Sequence, residues 1–139
     1  MRRIAALVLA LTIAGAATAS AAPVLRLTAL RVVTANGRTP VAQPLTRGVA
    51  YAYRLDYRVG SRHGVRVTRT GMFVSPYGDI LQQIAPPPAL ADPGRLFASG
   101  PIRVPKSESP GDYQLRYSVT VRNSSGSTTR DTTLRIRFR

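Results

Sequence analysis

The chain has no cysteine, no tryptophan and a single histidine among its 139 residues. Without cysteine there is no disulfide scaffold, no thiolate zinc site, no cysteine nucleophile and no cysteine-linked lipid anchor. Acids are scarce too: 6 Asp and Glu stand against 20 Lys and Arg, a formal charge of +14. Lys106 is the only lysine, so the other 19 cations are arginines. A GC-rich coding bias would explain arginine in place of lysine, but not the shortage of acids. With 44% hydrophobic residues, 11 Gly and 11 Pro, the composition is that of one ordinary folded domain rather than a disordered chain.

There is one long apolar run. Met1-Arg2-Arg3 leads into Ile4 to Ala14, broken only by Thr12, and then into small residues ending in Ala19-Ser20-Ala21. A short positive start, an apolar stretch and a small-x-small site predict a signal peptide over residues 1–21. The mature domain is then 22–139, exported to the periplasm or outside the cell. An uncleaved anchor is the alternative, but the run is short of the roughly 20 residues that a spanning helix needs. Losing Arg2 and Arg3 leaves 18 cations against 6 acids, so the mature chain keeps +12.

From Val24 onward the pattern alternates with period two, and no window has a helical stripe. Tyr51, Tyr53, Leu55, Tyr57 and Val59 share one face, with Arg54, Asp56 and Arg58 on the other. Tyr113 to Val121 repeats the pattern with Arg116 and Arg122 outward, and the last strand puts Leu134, Ile136 and Phe138 inward and Arg135 and Arg137 outward. Weaker strands span Val24 to Thr34, with a bulge where alternation slips at Ala29-Leu30, and Arg95 to Val104, where Pro101 marks an edge strand or a bulge. Val65 to Val74 and Ile80 to Ile84 complete the set.

Turns separate the strands. Gly60 to Gly64 reads as a hairpin loop, Ser75 to Asp79 and Asn123 to Ser127 as further turns, and Pro86-Pro87-Pro88 as a stiff crossover between sheets. About seven strands at this spacing predict an all-β, antiparallel β-sandwich.

Pro110-Gly111-Asp112-Tyr113-Gln114-Leu115 resembles the start of strand F in immunoglobulin-like domains, where a Tyr hydroxyl closes a corner onto nearby backbone. Tyr113 to Arg139 is similar to the carboxy-terminal hairpin of bacterial immunoglobulin-like and fibronectin-like modules. The chain departs from antibody-type domains: Leu115 stands where the second cysteine would be, and no tryptophan occupies the third strand. The resemblance implies an immunoglobulin-like sandwich of about seven strands. It implies no function, since this fold carries many.

The inventory for catalysis is thin. His63, the only imidazole, sits in a Gly-bounded turn with no acid nearby to orient it. Asp56, Asp79, Asp92, Glu108, Asp112 and Asp131 form no metal-loop spacing. Asp79 and Asp112 read as turn residues, and Asp56 and Asp131 as partners of outward arginines. The glycines make no phosphate loop, and Asn123-Ser124-Ser125 reads as turn chemistry. No catalytic, cofactor or metal residue is assigned, and the expectation is a non-enzymatic module.

The arginines remain. Arg116, Arg122, Arg135 and Arg137 share an outward face if the last two strands pair, with Arg54 and Arg58 as a second row in the opposite sheet. The guanidinium fork suits phosphate, sulfate or carboxylate. Arg116, Arg122, Arg135 and Arg137 are therefore the expected polyanion-binding residues, for an anionic glycan of the envelope, lipid head groups or nucleic acid. A solvated charged surface is the plainer reading. The alternative function is structural: contact with an envelope protein partner along the strand edge Arg95 to Val104.

Overall fold

A computed structural model describes residues 21–139; apart from Ala21, the expected signal peptide lies outside the described residues. The described residues form an antiparallel β-sandwich of eight strands: β1 (Val24–Thr34), β2 (Ala50–Gly60), β3 (Val65–Val74), β4 (Ile80–Ile84), β5 (Ala89–Ala91), β6 (Gly94–Arg103), β7 (Gly111–Asn123) and β8 (Gly126–Phe138). One sheet has the order β1-β2-β6; the other runs β4-β3-β7-β8, with β5 also on β3.

The alternation sorts residues as the sequence predicts. The inward sides of β2 and β7 bury Tyr53, Leu55, Tyr57 and Val59 against Tyr113, Leu115, Tyr117, Val119 and Val121. One end of the interior is aromatic: the Phe73 and Tyr113 rings stack 5.5 Å apart, and Phe138 meets Tyr113 edge-on at 5.3 Å. The other end is packed with Val59, Val65, Val67 and Val121. The Tyr113 hydroxyl donates to the Ser109 carbonyl at 2.6 Å, closing the corner before β7.

Three expectations change. Gly60 to Gly64 is not a hairpin loop: β2 is already paired on both edges, by β1 and β6, so the chain crosses to the other sheet and β3 pairs with β7. The proline segment does not simply cross over. After the prolines, Ala89–Ala91 pairs with Val65 to Val67 of β3, an eighth strand too short to leave a pattern. Asp112 is not a turn residue but lies within β7 and pairs with Arg137.

The bulge in β1 falls between Leu27 and Ala29, and the Thr28 hydroxyl pins it by donating to the Asp56 carbonyl at 2.8 Å. Of the two readings of Pro101, an edge strand or a bulge, the structure shows the first: β6 lies at the edge and pairs with β2 in unbroken register. The end of β8 is covered instead: the Leu45 amide donates to the Arg137 carbonyl and the Arg139 amide to the Leu45 carbonyl, each at 2.8 Å. Such a cover blunts an edge that would otherwise offer unpaired backbone.

Candidate functional site

The four arginines picked from the sequence do share the outer face of the β4-β3-β7-β8 sheet, but they do not converge. Register sets Arg116 opposite Thr133, Gln114 opposite Arg135, Asp112 opposite Arg137 and Arg122 opposite Ser127. Each cation is thus interleaved with a small, polar or acidic neighbour on β8 or β7. Arg137 pairs with Asp112 at 3.2 Å. Arg116 leans on the Gln114 side-chain oxygen through Nε and Nη2, at 3.3 and 3.1 Å. Arg122 sits at the far end beside Arg66 of β3, roughly 27 Å along the strand direction from Arg135 at about 3.4 Å per residue.

The denser site lies on the other sheet. Arg26 of β1 stands opposite Arg58 of β2, which stands opposite Arg95 of β6. Three like charges therefore form a row across three neighbouring strands, within about 10 Å at the usual strand spacing. Directly opposed like charges destabilise a sheet. None of the three has an ion pair or side-chain hydrogen bond among the described residues.

A second pair, Arg31 and Arg54, lies opposite one another farther along β1 and β2. Asp56 ties these two together: Arg31 Nη2 and Arg54 Nε each approach a carboxylate oxygen at 3.1 Å. Phe97 of β6 faces outward in the same concavity, 57% exposed, with the Arg54 guanidinium 4.3 Å above its ring. Together five arginines, one acid and one open aromatic line a hollow of about 660 Å³.

The β1 bulge builds this face. Arg26 and Arg31 are an odd number of residues apart, so an unbroken strand would send them to opposite sides of the sheet. The extra residue at Thr28 resets the alternation, and both arginines point outward while Leu25, Leu27, Leu30 and Val32 point inward. Sequence reasoning identified the slip, and it placed Arg54 and Arg58 outward. It missed Arg26, Arg31, Arg95 and Phe97, because their convergence depends on pairing between strands far apart in sequence.

Other sequence candidates lie elsewhere. His63 is exposed in the loop between β2 and β3. Asp131 faces Ser118 across β7 and β8 and makes no ion pair among the described residues. Asn123 caps its own turn, its side-chain oxygen accepting from the Ser125 and Gly126 amides. Tyr51 keeps its hydroxyl satisfied at the rim, accepting from the Thr46 amide at 3.0 Å. No protein-family model matches the chain, and a search of curated proteins finds no match either.

Proposed function

We propose that the protein is an exported, non-enzymatic immunoglobulin-like module that docks on an anionic glycan of the cell envelope through the outer face of the β1-β2-β6 sheet. The division of strands into β1-β2-β6 and β4-β3-β7-β8, with the Tyr113 corner, supports the immunoglobulin-like reading. The observation that carries the function is the row Arg26, Arg58 and Arg95, which opposes like charges with no acid between them. A polyanion would turn that repulsion into attraction. Phe97, 57% exposed with the Arg54 guanidinium over one face of its ring, adds an apolar contact for a sugar ring, and Arg forks take sulfate, phosphate or uronate groups.

The test is retention on immobilised heparin, against anionic liposomes and single-stranded DNA, over a salt gradient. The expected result is retention on heparin at about 0.15 M salt, where the Debye length is about 8 Å, with weaker binding to the other two. Elution at that salt would overturn polyanion docking, and preference for DNA or liposomes would overturn the glycan.

A second reading is strand-edge contact with an envelope protein. It rests on β6, an edge strand with no strand beyond it and one carbonyl, that of Pro101, taken by the Gln82 side chain, while the end of β8 is covered by backbone pairing. Co-purification with one protein, insensitive to salt and lost on placing a second proline in β6, would favour it.

A further inference from the structure

Arg69 turns toward the interior. Alternation along β3 turns Val65, Val67, Gly71 and Phe73 inward, and Arg69 is in phase with them, opposite Val119 of β7. It is half-buried, and its Nε is sealed from solvent with no hydrogen-bond partner. No carboxylate pairs with it among the described residues. The Tyr117 hydroxyl beside it is buried without a hydrogen bond of good geometry; its polar neighbour is the Tyr53 hydroxyl, on a ring 5.4 Å away, which acts on the Tyr117 proton but supplies no charge to balance Arg69. A buried donor without a partner, next to an uncompensated charge, is costly and asks for a reason.

The surroundings supply one. A recess of about 410 Å³ opens between β4 and β6, which the Gln82 side-chain amide bridges by donating to the Pro101 carbonyl at 3.1 Å, and Arg69, Tyr53 and Tyr117 line it together with apolar Ile84 and Pro101. Glycine makes room for the tyrosines. A Cβ on Gly100 would lie 2.8 Å from the Tyr53 ring and hydroxyl, and one on Gly71 would lie 2.9 Å from the Tyr117 ring. All the polar groups of Arg69 and the neutral tyrosines' hydrogens are donors. The matching ligand group is a planar oxyanion, and the apolar walls fit an organic body. The volume falls in the usual range for small-molecule sites.

We infer that this recess binds a small organic carboxylate, with the Arg69 guanidinium and the Tyr117 hydroxyl holding the carboxylate group and the walls of β4 and β6 holding its apolar body. The site is separate from the outer arginine face and does not depend on its role.

Benzoate, its neutral analogue benzamide, and sulfate serve as probes in titrations of the full chain at constant ionic strength, followed by the Arg69 Nε–H resonance. The expected result is a saturable shift with benzoate, none with benzamide, and at least tenfold weaker binding of sulfate. Arg69→Met should weaken benzoate at least tenfold and Tyr117→Phe at least threefold, whereas Arg58→Ser should leave its affinity unchanged. Absence of a saturable shift, an equal response to benzamide, or undiminished benzoate affinity in Arg69→Met would overturn the site. Equal affinity for sulfate would overturn the organic body. Should Arg69→Met not fold, Tyr117→Phe decides: it keeps the ring and removes one donor, and an unchanged affinity refutes the proposal.

Discussion

The two outer faces of this sandwich have similar strands and similar arginines, yet they differ in what faces what across the strands. Across β7 and β8, Arg116, Arg122, Arg135 and Arg137 meet Thr, Ser, Gln or Asp, and one directly opposed arginine pair on this face, Arg66 with Arg122, stands apart at its far end, so charge is spread and partly neutralised along the sheet. On β1, β2 and β6 the register stacks Arg26, Arg58 and Arg95 in one row. Alternation along a strand says only which side a residue takes. Pairing between strands decides whether like charges gather, and gathered charge is what a polyanion can recognise.

The largest effect should come from breaking the gathered row. Replacing Arg26, Arg58 and Arg95 together by Ser should weaken heparin binding by about 3 kcal/mol, near 100-fold, at about 1 kcal/mol per interfacial arginine. The matching triple change at Arg116, Arg122 and Arg135 should alter it less than about threefold by the same scale if that face is only a solvated surface. Titration calorimetry of the two variants side by side checks both.

Next comes a change inside the second sheet, where packing rather than docking dominates. Gly71→Ala brings a methyl within 2.9 Å of the Arg116 carbonyl oxygen and the Tyr117 ring. It should lower stability by about 2 kcal/mol as overpacking does, measured by urea unfolding, and leave heparin affinity intact.

The same interior sets an alkaline limit. Burial first of all, and for Tyr117 also the neighbouring Tyr53 hydroxyl, pushes the Tyr57 and Tyr117 hydroxyls above the ordinary phenol range, with the nearby Arg69 charge opposing it. Because the folded values are raised, this contribution to stability is whole below about pH 10, the ordinary phenol value, and drains away as pH climbs through the raised ones. Circular dichroism against pH should therefore show stability falling above about pH 10.

A smaller effect separates stability from binding. Arg58→Glu replaces two like-charge contacts by opposite-charge ones and should raise stability by about 0.5 kcal/mol, while heparin affinity drops. A gain in both would break the link between strain and docking. The smallest effect belongs to the dispersed face: Asp112→Asn frees Arg137 from an exposed ion pair and should move the unfolding free energy by less than about 0.5 kcal/mol.

Much of the fold was legible because period-two alternation is local. The inward rows of β2 and β7, the turn at Ser75 and the slip in β1 follow from neighbours in sequence. What was not legible is non-local. Nothing near Gly60 to Gly64 reveals that β2 already has two partners, and Ala89–Ala91 is too short to alternate visibly. The convergence of Arg95 with Arg26 likewise requires the register of three strands, one of them bulged. Arg69 is the exception: counting from Val65 places it in phase with apolar residues, a signal that a close reading of that one strand contains.

The most direct test of the central claim follows every arginine Nε–H resonance while a short heparin oligosaccharide is added. The account predicts saturable shifts at Arg26, Arg58 and Arg95, with Arg116, Arg122 and Arg135 still. Shifts confined to the latter three, or spread equally over both faces, would contradict it.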